Sequence, residues 1–140
     1  MRYNKNMEDV KKDYTVLVVE DERPLAEAIS KKLQKSGFTA LSSRTVEQAL
    51  QYMDDPDVGR IDAIWLDHYL LGEKTGLDFL ASCRESGGKC KETPIFVVTN
   101  TAGEEKTQTY LELGATKYYI KSNNRLEDII NDIRGILESK

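Results

Sequence analysis

Val16-Leu17-Val18-Val19-Glu20-Asp21 is an unbroken apolar run that ends in two carboxylates. Apolar residues at successive rather than alternate positions describe a strand covered on both faces, as in the middle of a parallel sheet. The arrangement recurs along the chain. Ile64-Trp65-Leu66 ends in Asp67, Ile95-Phe96-Val97-Val98 ends in Thr99, and Tyr118-Tyr119-Ile120 ends in Lys121. Parallel strands place their carboxyl ends along one edge, where open α/β sheets bind ligands in a crevice. The pattern therefore predicts that carboxylates, a hydroxyl and an ammonium from remote segments meet in one site.

Around these runs the periodicity predicts strands at 14–20, 38–42, 61–67, 94–99 and 116–120, the second short and mixed in polarity as an edge strand would be. Leu25, Ile29 and Leu33 recur every four residues between Pro24 and Gly37, which marks a first helix with its start and stop. Thr45 and Gln48 have capping-box spacing ahead of Ala49, Leu50 and Met53 in a second. Leu77, Leu80 and Ala81 mark a third, and Tyr110, Leu111 and Leu113 a fourth. Leu126, Ile129, Ile130, Ile133 and Leu137 form the stripe of a fifth. Alternating strands and helices give an α/β fold with helices on both faces of a doubly wound sheet. For five βα units the expected order is 2-1-3-4-5, with the switch point between the first and third strands. The loops 54–60 and 86–93 read as turn-rich connections, and the polar stretch 1–13 as a mobile tail ahead of one domain at 14–140.

At 140 residues the chain fits one domain. Its net charge of −4 and pI near 5.1 supply no basic footprint, so direct nucleic-acid binding and an anionic membrane surface are not expected. No apolar run approaches the roughly 20 residues of a membrane span, and the polar start lacks a signal peptide's apolar segment. The expected location is cytoplasmic. Cys83 and Cys90 lack metal-ligand spacing and are expected to be inert thiols rather than a redox pair. The sole histidine, His68, reads as a loop residue without a chemical role, and Lys31, Lys32 and Lys35 as solvated surface.

Three carboxylates about 4 Å apart repel one another by about 4 kcal/mol per pair at an effective dielectric near 20. One ammonium, Lys121, does not balance Glu20, Asp21 and Asp67, so a divalent cation is the natural complement. The candidate ligands are all oxygens, which selects Mg²⁺, with Mn²⁺ as a substitute. The remaining groups suit phosphoryl transfer, a reaction catalysed mainly by positioning and charge neutralisation. Asp67, from the central strand, is the candidate nucleophile that forms an acyl phosphate. Lys121 can bind one phosphoryl oxygen and the Thr99 hydroxyl another.

These residues make the chain resemble a receiver domain of a two-component response regulator. The resemblance is carried by Glu20-Asp21 after the first strand, by Asp67 within Leu66-Asp67-His68-Tyr69-Leu70-Leu71-Gly72, by Thr99, by Tyr118 three before the lysine, and by Gly114-Ala115-Thr116 leading to Lys121. It spans nearly the whole chain and implies a flavodoxin-like three-layer fold. It further implies that Asp67 takes a phosphoryl group from a sensor histidine kinase or a histidine phosphotransfer protein. Glu20, Asp21, Asp67 and the backbone carbonyl of Tyr69 would hold Mg²⁺, and Thr99 and Tyr118 would be the switch pair. The output surface would be the fourth helix, fifth strand and fifth helix, meeting a downstream protein or a second copy in a phosphorylation-dependent homodimer. Such a stand-alone receiver is not an enzyme in the ordinary sense, since it catalyses only its own phosphorylation and dephosphorylation.

Several positions depart from the commoner pattern. Glu20 stands for an aspartate, Ser122 for the proline that often follows the lysine, and Leu71 for another common proline; the loop from Asp67 to Gly76 is slightly long. Asn100 stands where a small residue is usual, and with Tyr69 it is expected to crowd water approaching the acyl phosphate, which implies slow self-dephosphorylation. Two rivals remain. A degenerate receiver would bind partners without phosphorylation. A phosphatase of the haloacid dehalogenase type would share the chemistry, but its nucleophile follows the first strand and has a second aspartate two residues on, where Tyr69 stands here.

Overall fold

The computed structural model describes residues 13–85, 90–100 and 103–139. The expected tail lies outside them apart from Asp13. Five parallel strands, β1 (Thr15–Val19), β2 (Thr39–Ser43), β3 (Ala63–Leu66), β4 (Ile95–Thr99) and β5 (Lys117–Ile120), form one sheet in the order 2-1-3-4-5. Between and after them run α1 (Arg23–Lys35), α2 (Val46–Asp54), α3 (Gly76–Arg84), α4 (Glu104–Glu112) and α5 (Leu126–Glu138), with a 3-10 turn at Lys121–Asn123. The fold is the expected flavodoxin-like sandwich.

Each central strand is apolar on both faces because helices cover both. Val16, Val18, Trp65, Phe96, Val98 and Tyr119 face α1 and α5, while Leu17, Val19, Ile64, Leu66, Ile95 and Val97 face α2, α3 and Tyr110 of α4. Register then sets the site. Val19 pairs with Leu66, so Glu20 and Asp67 leave adjacent strands side by side; Thr99 pairs with Ile120, the residue before Lys121.

The helix signals act as chemistry requires. Pro24 sits in the first turn of α1, and the chain leaves that helix through Gly37 at φ 93°, a left-handed value that favours glycine. Thr45 Oγ1 accepts the Gln48 amide at 3.0 Å at the start of α2. Only Tyr110 of α4 is buried, whereas Leu111 and Leu113 are exposed. One turn before Tyr110 stand Lys106 and Thr107, so α4 has no apolar stripe to lay on the sheet.

The cysteines are not inert thiols: Cys83 and Cys90 are joined in a disulfide, with Cα atoms 4.8 Å apart. Cys90 lies against the last turn of α3, a proximity that sequence spacing does not reveal. Arg84 donates from Nη1 to the Cys90 carbonyl at 2.6 Å and from Nη2 to the carbonyl of Gly114, after α4, at 2.9 Å. Among the described residues no helix is long and apolar enough to cross a membrane.

Candidate functional site

Glu20, Asp21 and Asp67 converge at the carboxyl edge of the sheet, each offering an oxygen within 4.8 Å of the others. Glu20 and Asp67 are 1% and 5% exposed, because β1 and β3 are central strands and carry both residues into the interior of the edge. Lys121 enters from the turn after β5. Its Nζ donates to Glu20 Oε1 at 2.9 Å and to Asp67 Oδ2 at 3.3 Å. The other Glu20 oxygen accepts the Glu22 amide at 3.1 Å, and the other Asp67 oxygen accepts the His68 amide at 2.7 Å. Arg44, after β2, fixes the Asp21 main chain by donating from Nε to its carbonyl at 3.1 Å. Four of the expected site residues are thus brought together.

Burial, reinforced by the charge of Asp67, pushes the Glu20 carboxyl up to about 7, against the opposing pull of Lys121. For Lys121, burial lowers the ammonium, but the hydrogen bond to Glu20 and the charge of Asp67 outweigh it and raise the group above its ordinary range. A proton held by a carboxyl beside two others marks a site with surplus negative charge. The oxygen-only donors and the close spacing of the three acids fit a hard divalent cation.

Thr99 is fully buried at the end of β4, between β3 and β5. Tyr118 is half-buried on β5, its ring 5.6 Å from that of Tyr110, while Tyr119 points to the opposite face and donates to Asp132 at 2.7 Å. Tyr69 is 62% exposed beside the phosphoacceptor candidate. Asn100 is exposed, and its Oδ1 accepts the Ser122 amide at 3.1 Å, tying the loop after β4 to the turn that carries Lys121.

His68, expected to be a loop residue without a chemical role, does lie in the loop after β3. It is buried, its Nδ1 lies 2.5 Å from Tyr110 Oη, and its Nε2 lies 3.3 Å from Lys106 Nζ. Burial holds the imidazole below its ordinary range, and Lys106 adds to the effect. Tyr110 had been assigned only to a helix stripe, and nothing in the spacing of positions 68 and 110 links them.

Comparison with known proteins bears on this geometry. The model of the response regulator receiver domain family matches residues 16–134. The transcriptional regulatory protein CpxR of Escherichia coli is 33% identical over 122 residues, which cover 87% of this chain and 48% of CpxR. The transcriptional regulatory protein DltR of Streptococcus agalactiae is 36% identical over 111 residues, covering 76% of this chain and 44% of DltR. The chain thus spans about half the length of these curated relatives. Among solved structures, a CheY-like receiver domain from Methanospirillum hungatei superposes with a TM-score of 0.80 at 18% identity, over 91% of this chain and 96% of its own. The chemotaxis protein CheY4 of Vibrio cholerae gives 0.75 at 25% identity, over 88% and 98%.

Proposed function

This chain belongs to the response regulator receiver family, and from that premise we propose that Asp67 accepts a phosphoryl group from a phosphohistidine on a sensor histidine kinase or histidine phosphotransfer protein. The observation that carries the reading is the junction of three acids and one lysine, in which Asp67 Oδ2 lies 3.3 Å from Lys121 Nζ. Every residue the reading uses lies within 14–140, the proposed receiver unit.

Asp67 attacks the phosphorus, and as the new O–P bond forms the P–N bond to the donor imidazole breaks. The imidazole nitrogen keeps the bonding electron pair and takes up a proton. Lys121 would meet one phosphoryl oxygen and the Thr99 hydroxyl, drawn toward the group, another, so that charge spreading over those oxygens is neutralised. Glu20, Asp21, Asp67 and the Tyr69 carbonyl would hold Mg²⁺, which supplies positive charge against the remaining oxygens. Tyr69, two residues beyond Asp67, and Asn100, next after Thr99, would restrict water and lengthen the acyl phosphate's life.

Movement of Thr99 toward the phosphoryl group would draw Tyr118 inward, and α4, β5 and α5 would then present an altered face to a downstream protein or to a second copy. Function lies in changed contacts, since the reaction modifies only the domain itself. Incubation with Mg²⁺ and acetyl phosphate is expected to add one phosphoryl mass to the wild type and none to Asp67→Ala. Equal labelling of both would remove Asp67 from its role. Partner affinity that does not respond to beryllium fluoride would instead favour the degenerate receiver.

A further inference from the structure

The two oxygens of Asp67 have different partners. Oδ2 faces Lys121, and Oδ1 accepts the amide of His68 at 2.7 Å. That amide belongs to a residue held at three other points. The His68 carbonyl accepts the Gly76 amide at 2.9 Å, Nδ1 meets Tyr110 Oη at 2.5 Å, and Nε2 meets Lys106 Nζ at 3.3 Å. An ammonium only donates, so Nε2 is the acceptor, the imidazole proton sits on Nδ1, and the ring donates to the Tyr110 oxygen. Tyr110 is fully buried.

The packing leaves no slack. A Cβ at Gly76 would lie 2.5 Å from the Asp67 carbonyl oxygen and 2.7 Å from Tyr110 Oη. The phenol of α4 is thereby wedged against the loop that carries the phosphoacceptor, and His68 links the two through its hydrogen bonds.

We propose that Tyr110 is a positioning residue for phosphoryl transfer: acting through His68, it fixes an amide on Asp67 Oδ1 and so presents Oδ2, beside Lys121, as the oxygen that forms the bond to phosphorus. The proposal rests on the reading of Asp67 as phosphoacceptor. A carboxylate that can turn about its Cβ–Cγ bond offers either oxygen, and a pinned one offers a single, oriented nucleophile. The same chain ties the acceptor to α4, on the face proposed to carry the output.

The test uses the full chain with Mg²⁺ and acetyl phosphate, following phosphoryl mass against time at several donor concentrations. Tyr110→Phe removes the hydroxyl and keeps the ring against Tyr118, His68→Leu removes both ring nitrogens, and His68→Asn keeps a carboxamide nitrogen at the Nδ1 position. At saturating donor, Tyr110→Phe and His68→Leu are expected to label about tenfold more slowly than wild type, with an unchanged half-saturating donor concentration. His68→Asn is expected to restore a rate near wild type. Wild-type rates in Tyr110→Phe and His68→Leu, even with lowered melting temperatures, would overturn the proposal, as would a loss confined to the half-saturating concentration. Absence of labelling in the wild type would overturn the parent reading instead.

Discussion

Glu20 makes the stability of the metal-free protein depend on pH in a direction opposite to that of an ordinary salt-bridged acid. Its folded pKa of about 7 lies above the ordinary 4.5. Below pH 4.5 the folded and unfolded chains both hold the proton, and no penalty exists. Between 4.5 and about 7 the unfolded chain has released it while the folded one has not, so stability falls as pH rises through that window. At about 1.36 kcal/mol per pH unit, the interval corresponds to a loss of about 3 kcal/mol by pH 8. Glu20→Gln cannot ionise, yet it keeps an oxygen for Lys121 Nζ. Urea unfolding in EDTA, followed through the single, fully buried Trp65, measures both proteins. The variant is expected to match wild type at pH 4 and to exceed it by about 3 kcal/mol at pH 8, while other titrating groups cancel in the difference. Added Mg²⁺ at pH 8 is expected to stabilise the wild type more than the variant. A constant offset between the two proteins from pH 4 to 8 would refute the reasoning, because the buried carboxyl would then carry no proton that ionisation must remove.

Other outcomes follow from the same geometry. Gly76→Ala is expected to lower stability by about 1–3 kcal/mol in thermal or urea unfolding, since its Cβ meets main chain and a buried phenol rather than a flexible side chain. Cys83→Ser, or reduction, is expected to cost about 2.5 kcal/mol, the chain entropy of a closed loop of eight residues, measured as a shift of the urea midpoint at constant slope. Tyr69→Ala is expected to shorten the phosphoryl lifetime severalfold, measured as decay of the labelled mass after the donor is removed; an unchanged lifetime would mean that the exposed ring does not restrict water.

The fold was legible because its decisive signals are local. Four apolar runs with polar tips, a proline and a glycine around α1, and the Thr45–Gln48 pair each act within a few residues, and strand order follows from handedness once their number is known. The acids and Lys121 were legible for the same reason, since each is the first residue or two beyond a strand. What depended on how loops return was hidden. The disulfide brings together two cysteines seven positions apart, and the exposure of Leu111 and Leu113 on α4 depends on packing that their apolar character alone does not give.

The same distinction accounts for the departures from the family pattern. Read along the chain, Asn100 and Ser122 are two separate oddities, one crowding the site and the other depriving the lysine turn of its usual proline. In space they are one feature, because the Ser122 amide donates to Asn100 Oδ1 at 3.1 Å. A proline at 122 has no N–H to donate, so this hydrogen bond forms only where 122 is not proline. Here the turn is restricted by a hydrogen bond to the neighbouring loop. The turn still delivers Lys121 Nζ to Glu20 and Asp67, and Asn124 Nδ2 braces it by donating to the Ile120 carbonyl at 2.9 Å. Two departures that each weaken the resemblance when counted singly support one placement of the lysine when taken as a pair.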